Sequence, residues 1–180
     1  MKRLDPHRKI PIGISSCLLG EQVRYDGGHR HNSLITTQLS RIFEFRPLCP
    51  EVAIGLGVPR EPIQLVHTAQ SIRVRGVHNP TLDVTGKLQA YGQQVASGHA
   101  DICGYIFKAR SPSCGPRGVA TWTEQGQEDE ANETGAYAAA LISAMPGLPV
   151  IDEESLQDPG QRENFIAQVT RRHQHNGHTR

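Results

Sequence analysis

Apolar residues along this chain change period several times, and each change marks an element. Ile10, Ile12 and Ile14 alternate with Pro11 and Gly13. A period of two predicts a short strand with one apolar face and a face of small residues that another group can approach closely. Asn32 or Ser33 is placed to cap a helix running to about Ile42, with Leu34, Ile35, Leu39 and Ile42 inward. Phe43 to Leu48 reads as a second strand, stopped at Cys49-Pro50-Glu51. Pro62 to Val66 and Ser71 to Val77 read as a small hairpin or two short strands. From near Leu82 to Gly98, Leu88, Tyr91 and Val95 recur at helical spacing and predict a long amphipathic helix. Ile102 to Phe107 is nearly all apolar, the mark of a strand buried on both faces. The polar, acidic stretch from Thr121 to Glu133 is expected to be loop. Thr134 to Met145 is an Ala-rich helix, Val150-Ile151 a last short strand, and Gln161 to Arg172 a final helix with Phe165, Ile166 and Val169 inward.

Strands alternating with helices predict an α/β fold with a mainly parallel, Rossmann-like sheet and helices on both faces. The 180 residues fit a single domain that buries about 70% of its unfolded surface. Its core is expected over about 10–150, with a C-terminal helical region at 151–172 and a frayed tail at 173–180. In open α/β sheets, ligands bind beyond the carboxyl ends of the strands. Cys17, Cys49-Pro50-Glu51 and Ser111-Pro112-Ser113-Cys114 each follow the carboxyl end of a predicted strand. Three loops far apart in sequence therefore meet at one rim, each bringing a thiol.

Charge narrows the partners. Lys plus Arg is 19 and Asp plus Glu is 18, a net +1, which argues against binding a nucleic-acid polymer. No stretch approaches about 18 consecutive apolar residues, so no membrane span is expected. The basic, polar start and the broken apolar run behind it do not make a signal peptide. The expectation is a cytoplasmic protein, in which four cysteines are not disulfides.

None of Cys17, Cys49, Cys103 and Cys114 forms a CxxC pair. Converging thiolates are soft ligands for an iron–sulfur cluster, zinc or Cu(I). Three of them leave one coordination position open, and on a cubane cluster that means an iron able to act as a Lewis acid. Cys103 lies within an apolar strand and reads as a small buried hydrophobe. Glu51, held across Pro50 from Cys49, is either a general acid or base or an exposed loop glutamate. Ser111 and Ser113 either cap turns or hydrogen-bond a ligand. Asp26, in Arg24-Tyr25-Asp26-Gly27-Gly28, either sets an Asx turn or accepts from a ring N–H. No HExxH, GxGxxG or Walker A loop occurs, and the His-rich tail has no assigned role.

The motifs Ser15-Ser-Cys-Leu-Leu-Gly20, Val23-Arg-Tyr-Asp-Gly-Gly28, Cys49-Pro-Glu51 and Lys108 to Gly115, in this order, resemble the thiouracil desulfidase (TudS-type) family, a bacterial family. The resemblance covers about Ile10 to Val150. It implies removal of sulfur from thiolated pyrimidines with a 4Fe–4S cluster. It implies cluster ligation by Cys17, Cys49 and Cys114, with one iron open to the substrate sulfur, and Glu51 and Ser111 as the catalytic pair. Asp26 and Ser113 are the expected contacts to the ring. Net charge and length favour a free base or nucleotide over thiolated tRNA. Two other classes stay open: a non-catalytic iron–sulfur electron carrier or sensor, and a structural zinc-thiolate protein.

Overall fold

The Ile10–Ile14 alternation builds β1 (Ile10–Ser15), an inner strand of a parallel sheet in the computed structural model, which describes residues 9–178. Its partners are β2 (Phe43–Leu48), β5 (Tyr105–Phe107) and β8 (Val150–Asp152), in the order β2-β1-β5-β8. All three pairings are parallel. Successive residues of β5 face opposite layers. Ile106 joins Ile12, Ile14, Ile35, Phe165 and Val169 on one face. Tyr105 and Phe107 join Leu88, Val95, Tyr137 and Leu141 on the other. The small-residue face of β1 is used as expected: a Cβ on Gly13 would stand 2.3 Å from the Tyr105 ring. Glycine there lets the aromatic ring lie directly on the strand.

Helices cover both faces. α1 (Ser33–Thr37) is capped by Asn32, whose Oδ1 accepts the Ile35 N–H at 3.3 Å. The expected helix does not run unbroken to Ile42: Leu39–Arg41 is a 3-10 turn. Its three residues per turn rotate the chain, so Leu39 is buried while Ile42 faces out. α2 (Pro50–Ala53) is a single turn after β2. α3 (Thr85–Gly98) and α4 (Ala136–Ala144) pack on the second face, and α5 (Pro159–His178) on the first.

A second, mixed sheet runs β4 (Ile72–Gly76), β3 (Ile63–His67), β6 (Val119–Thr123), β7 (Glu128–Glu133). β3 and β4 are the expected hairpin. The stretch expected as loop from Thr121 to Glu133 is instead the antiparallel pair β6–β7. Val119 and Thr121 point inward with the exposed Ala120 between them. β7 is an edge strand, and edges carry charge that keeps them from pairing further. Its acidic composition therefore hid a strand.

The C-terminal segment also departs from expectation. α5 continues through His178 rather than fraying at His173. His173 Nδ1 and Asn176 Nδ2, three residues apart on α5, lie 3.6 and 3.9 Å from the Cys103 sulfur and hold the last turns against the sheet. Cys103 itself precedes β5, with its N–H on Pro11 O at 2.8 Å, near the amino end of β1. Residues 1–8, including the basic start, and the last two positions of the tail lie outside the described residues. No helix among the described residues is long and apolar enough to cross a membrane.

Candidate active site

The carboxyl ends of β1, β2 and β5 open onto one cavity of about 340 Å3. Cys17, Cys49, Cys114, Glu51 and Ser111 all line it. Each is placed by a different local device. After β1 the chain tightens into the 3-10 turn Ser16–Leu19, and Cys17 O accepts from Gly20 N and Arg30 N at 3.3 and 2.9 Å. After β2, Pro50 starts α2, with its fixed φ suited to a first helical position. Cys49 is thereby the N-cap residue, and Glu51 sits in the first turn.

The third loop is held from both sides. Ser111 Oγ accepts the N–H groups of Ser113 and Cys114 at 3.2 and 3.0 Å. From beneath, the first turn of α4 donates into the loop: Ala136 N to Pro112 O, Ala138 N to Ser113 O and Gly135 N to Gly115 O, at 3.0, 3.1 and 2.7 Å. A Cβ on Gly135 would come 2.6 Å from the Ser113 carbonyl, so only glycine admits this approach. The free N–H groups of a helix start thus fix the position of Cys114.

Glu51 is clamped. Its Oε2 accepts from Arg60 Nε at 2.7 Å and its Oε1 from Ser113 Oγ at 2.7 Å. The side chains of Arg60 and Glu51 are 5% and 13% exposed. Arg60 Nη1 also donates to Gly57 O, and its N–H to Tyr25 O, both at 2.9 Å. Each carboxylate oxygen keeps a second lone pair for the cavity. Arg60 escaped the reading of the sequence because it belongs to no motif. Its only signal is an arginine in a Gly/Pro loop, which says nothing of a distant carboxylate.

The expected site residues separate. Ser113 is fully buried and holds Glu51 from below instead of facing the cavity. Asp26 is exposed, and its carboxylate accepts the Gly28 N–H at 2.9 Å, which holds its carboxyl below the usual range. It closes the turn beside Arg24, Tyr25 and Arg30, which do line the cavity. Lys108 is engaged by Glu153, which also accepts Ala109 N–H at 2.6 Å. Glu153, just after β8, is a second residue that no motif announced.

Burial pushes all three cavity thiols up. Cys17 rises to about 11, with the Arg24 charge pulling the other way. Cys49 rises against the opposing N–H groups of Val52 and Glu51. Cys114 also rises, its burial reinforced by Glu51 and opposed by the Ser15 hydroxyl. Free thiols in this setting stay protonated near neutrality and are poor nucleophiles. A bound metal reverses that, because a coordinating thiol is deprotonated outright. Three soft thiol donors lining one cavity are suited to a transition metal or an iron–sulfur cluster. Among the described residues no three His, Cys, Asp or Glu side chains are grouped closely enough to hold a single ion. One buried hydroxyl in the wall, Ser16 Oγ, has no hydrogen-bond partner among the described residues, a state that costs about 1–3 kcal/mol unless an occupant relieves it.

A model of the 2-thiouracil desulfurase family matches residues 12–153. The uncharacterized protein YbbK of Bacillus subtilis (strain 168) is 28% identical over 158 residues, covering 82% of this chain and 98% of that protein. Among solved structures, the [4Fe-4S]-dependent thiouracil desulfidase TudS (DUF523Vcz) superposes with a TM-score of 0.60 at 29% identity, over 87% of this chain and 99% of that one. With the family model spanning all three thiol-bearing loops, the chain belongs to the 2-thiouracil desulfurase family.

Proposed function

We propose that this protein is a desulfidase that replaces the exocyclic sulfur of thiolated uracil bases or nucleotides with oxygen. Water is the co-substrate and hydrogen sulfide the second product, so the overall change is hydrolytic and without net redox change. Cys17, Cys49 and Cys114 would hold a 4Fe–4S cluster. When bound, the cluster supplies an iron without a protein ligand, a Lewis acid suited to a soft sulfur donor. The observation that carries this reading is the convergence of three thiols from three loops and the Glu51 carboxylate on one cavity.

The protein's own groups have separable tasks. Arg60 and Ser113 fix the Glu51 carboxylate and leave a lone pair on each oxygen. Glu51 takes a proton from water as that water attacks the ring carbon bearing sulfur. That proton passes to the departing sulfur; as the carbon–sulfur bond breaks and the carbon–oxygen double bond forms, the hydroxyl proton of the added water follows, so sulfur leaves as hydrogen sulfide and the carbon keeps the oxygen. Ser111 accepts two backbone N–H groups, which leaves its hydroxyl proton to donate to the ring or to relay a proton. Asp26 acts through its turn, which presents Arg24, Tyr25 and Arg30 to the substrate. Cys103 does not line the cavity, so three cysteines face it. That supports an open iron over the saturated cluster of an electron carrier.

Sulfide release by the anaerobically reconstituted protein tests the proposal. The panel is 4-thiouracil, 4-thiouridine monophosphate, a plain thioamide and thiolated tRNA. The bases and the nucleotide should react, and the plain thioamide should be rejected by a site built to hydrogen-bond a ring. Preference for tRNA would contradict the argument from charge, and equal reaction of the thioamide would contradict ring recognition.

A further inference from the structure

Two polar groups in the cavity wall have no hydrogen-bond partner among the described residues. Ser16, in the 3-10 turn after β1, is 2% exposed, lines the cavity, and its Oγ makes no hydrogen bond. Arg24 lines the same wall, and its Nε–H is also buried and unbonded. The Asp26 carboxylate stands 3.8 Å from that nitrogen, beyond hydrogen-bond reach. Both groups flank Cys17: Ser16 precedes it in the chain, and Arg24 is the foremost charge acting on its thiol.

The polar groups around them make their bonds elsewhere. Ser15 Oγ accepts the Lys108 N–H, Ser111 Oγ accepts two N–H groups, and Glu51 is held by Arg60 and Ser113. Two sheltered donors beside one thiol remain, and no described residue accepts a hydrogen bond from either. An acceptor must therefore come from whatever occupies the cavity. Sulfur atoms of an iron–sulfur cluster accept hydrogen bonds, and those bonds set its potential.

We propose that Ser16 Oγ–H and Arg24 Nε–H hydrogen-bond the sulfur atoms of the cluster held by Cys17 and thereby raise its reduction potential. The inference rests on the function proposed above. Its direction follows from charge. Reduction adds one negative charge to the cluster, so a donor or a cation beside it stabilises the reduced form more than the oxidised form.

The test measures iron and sulfide content and reduction potential in anaerobically reconstituted wild type, Ser16→Ala, Ser16→Thr and Arg24→Leu. All four should hold the wild-type amount of cluster. Ser16→Ala should titrate at a more negative potential than wild type. Arg24→Leu should shift further, because it loses a charge as well as a donor. Ser16→Thr keeps the hydroxyl and should return to the wild-type value, which a purely structural role for Ser16 would not predict. Should Ser16→Ala fail to fold, Arg24→Leu carries the test alone. Wild-type potentials in fully loaded Ser16→Ala and Arg24→Leu would overturn this inference and leave the desulfidase reading intact. Failure of the wild type to take up a cluster would overturn both.

Discussion

Cys103 and the three cavity cysteines are the same residue in two settings. All four thiols are free, and burial raises each of their pKa values. What separates them is their place on the sheet. Cys17, Cys49 and Cys114 stand in loops beyond the carboxyl ends of three parallel strands and share a cavity. Cys103 stands near the amino end of β1, sealed beneath α5 by His173 and Asn176. Burial and acidity therefore do not distinguish the cavity thiols from Cys103; position relative to the strand ends does.

The largest effect that sharpens this contrast is on metal content. Cys17→Ser, Cys49→Ser and Cys114→Ser should each lose most of the iron and sulfide bound after anaerobic reconstitution. Cys103→Ser should keep the wild-type content. Comparable loss in Cys103→Ser would break the distinction between the two regions.

Next in size is Glu51→Gln. The amide is nearly isosteric but cannot take the proton, so turnover should fall about 10²–10⁴-fold while the cluster stays. Sulfide release near the wild-type rate from a fully loaded variant would remove Glu51 from the chemistry. Arg60→Gln acts one step further out. It frees Glu51 from one side of its clamp, and turnover should fall about 10–100-fold, the usual range for losing an orienting partner. Thermal melting of the same sample separates this from unfolding, since Arg60 is also tied to Gly57 and Tyr25.

The smallest effect concerns Cys103 alone. Burial raises its pKa in the folded chain, so the folded state favours the protonated thiol. The stability this contributes is fully present below the unfolded thiol pKa, about 8.5, and is lost as pH rises from there through the raised folded pKa. Wild type should therefore lose Tm more steeply above that pH than Cys103→Ser. Parallel curves would show that the thiol does not ionise on unfolding.

Much of this site was legible in the sequence because its chemistry sits in contiguous motifs. Proline, glycine and serine beside Cys17, Cys49 and Cys114 marked the loops, and the alternation of Ile10, Ile12 and Ile14 marked the strand that leads into one of them. The partners of those groups were not legible. Arg60 reaches Glu51, and Glu153 reaches Lys108, only after folding brings separate loops together. Ser111 and Ser113 have the same hydroxyl and lie two residues apart, yet one faces the cavity and the other lies beneath Glu51. Composition cannot distinguish those two orientations. The second sheet was half-hidden for a different reason. β7 is an acidic edge strand, and its polarity reads as loop when the pairing with β6 is unknown.

A cluster held by three thiols with one iron open to substrate sulfur has one iron unlike the other three. Mössbauer spectroscopy of the iron-enriched, reconstituted protein, before and after addition of 4-thiouracil, tests it most directly. One iron in four should be distinct from the rest, and only that iron should change when the thiolated base is added. Four equivalent irons that do not respond to 4-thiouracil would contradict it.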